Sequence, residues 1–396
     1  MLVEQSVDVV KKAVPFNAEA MSDVDEEGFA PYPFDIKKIS IESKSLPIST
    51  IVRRLKSKRI HAAEMQRDEE LWNAGTKSRL IESILLRIPL PLFYAAENKE
   101  GYLYIVDGLQ RISAIRAYVT DESFKLEELE FLRDLEGKTY GELTEDLQIR
   151  IDETNLQFAI ISSDSPPEVQ RNIFKRLNTG GVPLSEQEIR HALFFGPATD
   201  LLKELVAAEE FKSIAAEYIS DRRMMAREFV LRFLAFAILG EEAYRTDGEM
   251  DSFLCDAMQI INGQHPIKDF GNGGTITGRN VICKDAEELK KRFLLAMKRA
   301  RQLFGSYAFR MSIPNSRRSR VNKALFETWS IVLSELNESD FSALLDNRDM
   351  LFEELSALYT DDVFGRNCGR DALRAIGVKG RYESIRSIVR RFTIGG

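Results

Sequence analysis

YLYIVDGLQRISAIRAYVT, residues 102–120, decides how this chain is read. Tyr102 to Val106 is an aromatic and β-branched run, the composition of a buried strand. Gly108 permits a sharp turn free of a Cβ clash. Beyond it, Leu109, Ile112, Ile115 and Val119 recur at helical spacing. A helix that opens beside a strand end presents unpaired N–H groups and partial positive charge, which suits phosphate. Asp107, Gln110 and Arg111 stand at that opening. Arg111 offers a bidentate, charge-assisted contact to phosphate, and Asp107 a ligand for Mg²⁺ or a ribose hydroxyl. An ordinary Asp-Gly turn explains the same spacing, so the chemistry of the three polar residues carries the functional reading.

The 396 residues predict two domains, with a core supported by 44% hydrophobic and 30% charged residues. No apolar run approaches the roughly 18 residues that span a bilayer, so no membrane partner is expected. The N-terminus, with Glu4 and Asp8, does not read as a secretory signal. Cys255, Cys283 and Cys368 are widely spaced and odd in number, as in reduced cytosolic proteins. The cytoplasm is therefore the expected compartment. The net charge of −7 argues against a general polycation. Basic residues nevertheless cluster within 51–60, 310–323 and the last 34 residues. Such patches bind phosphate backbones or stand as solvated faces and partners of distant acids. Arg317, Arg318 and Arg320 are the DNA-contact candidates.

Residues 1–35 read as an irregular arm, 36–196 as a mixed α+β domain and 197–396 as a helical domain. Ser49-Thr50 predicts the cap of a helix to Leu55, and Thr76 the cap of the next. Residues 88–94 read as an edge strand because of Pro89 and Pro91. Residues 156–162 form another strand, and Ser185 with Glu188 a capping box. Periodicity in the second half predicts helices over 200–217, 222–239, 285–303, 321–336 and 340–358, with a flexible loop at 271–278. That half reads as all-helical.

Three histidines, His61, His191 and His265, lie far from helical ligand spacing, and the common metal and P-loop motifs are missing. His191 reads as a packed or surface side chain. Gln66-Arg67 interrupts a helical region with residues suited to phosphate and base contact. Lys175-Arg176 and then Asn178-Thr179-Gly180-Gly181 place basic residues and backbone donors at a helix end.

The segments MQRDEELW (65–72), SRLIESILLRIPLPLFY (78–94), YIVDGLQRISAIRAY (104–118) and IFKRLNTGGVPLSEQEIRHALF (173–194) occur in the order of a known family. They resemble the N-terminal domain of GmrSD-type restriction systems, the domain of unknown function 262, over roughly residues 36–195. The resemblance implies a ParB/sulfiredoxin-like fold and nucleotide-dependent defence against foreign DNA. The family's Asp-Gly-Gln-Gln-Arg signature, associated with nucleotide hydrolysis and in some members DNA nicking, falls on Asp107, Gly108, Leu109, Gln110 and Arg111. Leu109 replaces the first Gln, which implies poor turnover. The family's Gln-Arg pair falls on Gln66 and Arg67, and its Asn-Thr-Gly-Gly on Asn178–Gly181. The small histidine count argues against the His-Asn-His-type nuclease that the family often adds, leaving a separate effector nuclease as a partner.

Three functions are thereby expected, in order. The first is a nucleoside-triphosphate-binding switch that hydrolyses slowly or not at all. In it Asp107, Gln110 and Arg111 act on the phosphates or Mg²⁺, and Gln66, Arg67, Gly108, Arg176, Asn178, Thr179, Gly180 and Gly181 bind the nucleotide. Its helical domain contacts double-stranded DNA or a partner. The second is a non-catalytic, nucleotide-gated DNA-binding regulator. The third is a self-contained nickase with Asp107 on its metal. Oligomerisation is compatible with each.

Overall fold

The computed structural model describes residues 40–61, 72–98, 101–162, 165, 170, 173, 185–215, 219, 221–245, 250–263, 268–270, 274–276, 281–314 and 316–393. The first half contains β1 (Ile41–Pro47), α1 (Ile48–Lys56), β2 (Ile60–His61), α2 (Ala74–Leu85), β3 (Phe93–Glu97), β4 (Leu103–Asp107), α3 (Leu109–Val119), α4 (Glu145–Glu153) and β5 (Asn155–Ile161). Five strands make one mixed sheet in the order β1-β5-β3-β4-β2. The β1–β5 and β3–β4 pairs are antiparallel, and the β5–β3 and β4–β2 pairs parallel. The first four residues of β4 and the last four of β5 are buried without alternation, as in strands covered on both faces.

Three boundaries differ from expectation: α1 starts at Ile48, ahead of Ser49-Thr50, and the starts of β3 and α2 shift as well. Pro89 and Pro91 lie before β3, which is a central strand rather than an edge strand. A proline inside that ladder would lack a donor. At α2 the cap is Asn73, whose side chain accepts from the Thr76 N–H at 2.8 Å. Leu80, Ile81, Ile84 and Leu85 form its buried face. The connection from α3 to α4 is stapled to α2 by Glu82. Its carboxylate accepts from the N–H groups of Glu130 (3.1 Å), Phe131 (2.8 Å) and Leu132 (2.8 Å). Burial pushes the Glu82 pKa up, but the three N–H bonds hold it below the usual carboxylate value.

Helix α5 (Glu186–Leu193) packs on the sheet side, and the second half packs α6 (Pro197–Ala207), α7 (Glu209–Ala215), α8 (Met225–Leu239) and α9 (Met250–Ile261) with α10 (Ala286–Phe304) and α11 (Lys323–Glu335). They are followed by α12 (Glu338–Asp346), α13 (Arg348–Thr360), α14 (Asp362–Cys368) and α15 (Ala375–Arg391). Two expected helices are broken, at Ala208 and Asn347. This half is mostly, not wholly, helical. Lys268–Phe270 pairs antiparallel with Gly274–Ile276 where a loop was expected. Among the described residues, no helix is long and apolar enough to cross a membrane.

Two separate hydrophobic clusters result, one around the sheet and one around α8, with Leu193 packed against both. Helix α8 is buried nearly all round, and it carries a cation into the core. Arg232 donates to Glu327 at 2.8 Å and to Glu228 at 3.3 Å. Arg381, fully buried, donates to Glu327, to Thr328 Oγ1 at 3.1 Å and to the Ala372 carbonyl at 2.9 Å. Burial alone would lower the pKa of Arg232, but Glu327 and Glu228 hold it above its ordinary value. The C-terminal basic cluster is largely consumed by such pairing. Arg374, Arg386 and Arg391 bind Asp371, Glu241 with Glu335, and Glu354.

Removing Glu327 leaves two buried guanidinium groups without their shared counter-ion. Glu327→Ala is expected to cost about 3–5 kcal/mol in urea unfolding followed by circular dichroism; a loss below about 1 kcal/mol contradicts the network's role. Glu82 has a depressed folded pKa, so its contribution is complete above the unfolded Glu value of about 4.3 and fades as pH falls through the folded value. Glu82→Gln should therefore flatten the acid limb of the stability–pH curve, and an unchanged limb rejects that assignment.

Candidate functional site

The strand–helix corner is built on Gly108. Its φ of 90° is left-handed, and a Cβ there would lie 2.8 Å from Phe93 Cε1 and 3.0 Å from Arg111 Nη2. Both the backbone and the space require glycine. Glycine also has no side chain with which to cap α3, so the helix starts without a side-chain cap from its N-cap residue. The β3–β4 register shifts between Tyr94 and Ala95, directly opposite this corner. Such bulges re-aim side chains beside sites.

Arg111 lies across the corner with its guanidinium 4.1 Å above the Phe93 ring. It donates to the carbonyls of Pro91 and Leu92 (3.3 Å to the latter) and to Asp107 Oδ2 at 3.1 Å. At least three of its five N–H groups are thus committed within the protein. Burial lowers its pKa, with the Asp107 carboxylate acting in the opposite sense. Arg111 is a charged strut at the site, not a free phosphate fork. Asp107 is half exposed, and among the described residues only its Oδ2 is engaged. Its Oδ1 remains available to a cation or hydroxyl. Among the described residues, no cluster of three or more His, Cys, Asp or Glu side chains stands ready for a metal. One carboxylate still fits Mg²⁺, which keeps several waters and takes its other ligands from phosphate.

Gln110 is half-buried in the first turn of α3. Leu109 is only 8% exposed and belongs to the sheet-side core. Gln66, Arg67, Arg176, Asn178, Thr179, Gly180 and Gly181 lie outside the described residues. Helix α5, which follows them, is fixed by the expected Ser185–Glu188 capping box. It is also bolted to the helical half. Ser185 Oγ donates to the Arg223 carbonyl at 2.9 Å, Glu188 lies 3.6 Å from Arg223, and buried Arg190 pairs with Asp251.

His191 is buried edge-on to Phe195, 5.9 Å between ring centroids. His61 stacks on Tyr104 at 4.9 Å and lies 4.4 Å from Phe195. Nothing in the local sequence around His61 announces this aromatic cluster, whose members come from β2, β4 and the end of α5. The Phe93 platform was likewise hidden, because Phe93 follows a proline-rich stretch that points to an edge. Arg317, Arg318 and Arg320 are exposed on a loop of the other half.

The fold and corner define a small mixed α+β domain with an uncapped helix start beside an acidic side chain. Residues 48–195 match the family described as GmrSD restriction endonuclease, N-terminal domain. That match points to a restriction system, a defence against foreign DNA. No curated protein and no solved structure matches the chain.

Gly108→Ala combines a strained backbone with a collision against Phe93. A loss of at least about 1–3 kcal/mol in chemical denaturation is expected, whereas unchanged stability would mean that the corner relaxes without cost.

Proposed function

We propose that this protein is a nucleotide-binding switch of a restriction system, sensing a nucleoside triphosphate at the strand–helix corner. The observation that carries this reading is the uncapped start of α3 beside the open Oδ1 of Asp107, inside the region matching the GmrSD domain. Phosphate oxygens would accept from the first-turn N–H groups, with Arg111 adding charge from beneath. Each exposed helix-terminus contact contributes only about 0.3–1 kcal/mol, so Mg²⁺ on Asp107 and the segments holding Gln66, Arg67 and Asn178–Gly181 must add to them. Mg²⁺, when bound, would neutralise phosphate charge.

Burial of Leu109 favours binding with little or no turnover. The position where the family signature carries an amide is occupied here by a core side chain that cannot orient water. Ligand binding at Asn178–Gly181 would pull on α5, whose Ser185, Glu188 and Arg190 grip Arg223 and Asp251 of the helical half. Arg190 also acts electrostatically on Glu228 of α8, which accepts from Lys323 at 2.8 Å. The chain of contacts ends beside the loop carrying Arg317, Arg318 and Arg320, the proposed contact with double-stranded DNA or an effector nuclease. A nearly complete switch needs a preference of about 5.5 kcal/mol for one state.

Calorimetric titration of the full chain with ATP and GTP in Mg²⁺ tests the reading. Binding is expected, weakened at least fivefold by Asp107→Asn, with no sustained phosphate release. Absence of heat with every triphosphate, or equal affinity in Asp107→Asn, overturns it.

A further inference from the structure

Strand β1 (Ile41–Pro47) closes one side of the sheet, and among the described residues no strand pairs with its outer edge. Its register with β5 is unbroken, from Ile41 opposite Ile161 to Pro47 opposite Asn155. Bonds just beyond each end fix which residues face inward. The Ser162 N–H donates to the Ser40 carbonyl at 3.0 Å, and the Ile48 N–H to the Thr154 carbonyl at 3.0 Å. Hydrogen-bonding residues alternate in an antiparallel ladder. Residues 40, 42, 44, 46 and 48 therefore bond towards β5, and Ile41, Ser43 and Ser45 aim their N–H and C=O groups away from it. All three are exposed, Ile41 by 50%. Pro47, the next outward position, has no N–H and ends the row of donors.

An open edge recruits another strand, and proteins usually blunt it with lysine or proline. Lys44 stands on this edge, but Glu42 lies two residues before it on the same face. Lys44 holds Glu42 at 3.1 Å and Glu97 at 3.6 Å, so its charge is already balanced within the chain. Balanced charges add little attraction, yet charges directly opposite each other still discriminate between registers. When β1 meets an antiparallel copy of itself about Ser43, Ile41 lies opposite Ser45 of the copy and Ser43 opposite Ser43. These are the three outward positions, and they form about six backbone hydrogen bonds. The closer positions between them then set Glu42 opposite Lys44 on both sides of the axis. One step either way loses this match. A pair centred on Glu42 sets Glu42 against Glu42, and one centred on Lys44 sets Lys44 against Lys44.

We propose that β1 is a dimerisation edge, on which two copies of this chain pair their β1 strands antiparallel about a two-fold axis at Ser43. An arbitrary strand matches the outward backbone groups but not the Glu42–Lys44 alternation, which is complementary to itself. A second copy is therefore the occupant. The interface is isologous, as in most closed dimers. Exposed Ile41 gains cover beside Ser45 of the copy. Two five-stranded sheets join into one of ten. Strand β4 runs parallel to β1 through the pairings of β5 and β3, so the axis sends the two Gly108 corners to opposite ends of that sheet. A single strand pair is smaller than a standard interface, so the dimer is weak and concentration-dependent. The pairing uses no residue of the strand–helix corner and stands whether or not that corner takes phosphate.

Sedimentation velocity of the full chain over about 1–200 μM tests this, with a reversible rise from monomer to dimer expected. Ser43→Pro removes the outward N–H at the axis, a change an edge strand tolerates. It should loosen the dimer at least about tenfold with the circular dichroism unchanged. Glu42→Lys and Lys44→Glu, each alone, set like charges opposite and should loosen it at least about threefold. The double variant Glu42→Lys/Lys44→Glu restores opposite pairs and should recover the dimer. Mild oxidation should cross-link Ser43→Cys, because Cα atoms of a bonded antiparallel pair lie about 5.5 Å apart, within disulfide reach. Ser45→Cys, more than about 13 Å from its copy in this register, should not cross-link; wild type gives the background from half-buried Cys283. Should Ser43→Pro fail to fold, the charge and cysteine variants decide alone. Monomer at every concentration overturns the inference. So does a dimer indifferent to a folded Ser43→Pro, cross-linking through Ser45→Cys instead of Ser43→Cys, or a double charge swap that recovers nothing.

Discussion

A backbone that must turn left-handed at Gly108 while a phenylalanine ring and a guanidinium close over it sets the geometry of the whole first half. The corner ends β4 and starts α3. It also fixes where β3 lies, because Phe93 is the platform and the carbonyls of Pro91 and Leu92 are acceptors for Arg111. Three elements meet through one cation. The same arrangement leaves a helix start uncapped and a carboxylate oxygen open, so structural and ligand-binding chemistry share one set of residues. Arg111 holds the site together first and offers its charge to a ligand second.

A second buried constraint governs the helical half. Glu327 receives Arg232 and Arg381 in the core, and Arg232 passes the chain of charges through Glu228 to Lys323. Buried ion pairs contribute little net stability compared with apolar packing, yet they are costly to break singly. Their value here is directional. They pin α8, α11 and α15 in one arrangement and lead from the core to Lys323.

Much of this was legible in the sequence, for identifiable reasons. The helix over 109–119 and the strand before it announced themselves because periodicity and the glycine agree. The Ser185 capping box was an equally local signal. The burial of His191 follows from its place on the inner face of α5. What stayed hidden was non-local. Asn73 outcompeted Thr76 as a cap because its side chain reaches the Thr76 N–H. Strand β1 (Ile41–Pro47) has an exposed edge with little apolar alternation, so only its pairing with β5 reveals it. The internal engagement of Arg111 required knowing that residues 91–93 lie beneath α3. Phosphate binding by an arginine and carbonyl binding by an arginine look alike in one dimension.

The claim on which the rest turns is that phosphate docks at the start of α3. Determining the structure of the full chain with a non-hydrolysable triphosphate and Mg²⁺ addresses it most directly. The account predicts a phosphate group within hydrogen-bonding distance of the backbone N–H groups of residues 109–111, with the metal on Asp107 Oδ1. A nucleotide bound elsewhere with this corner unliganded would contradict it.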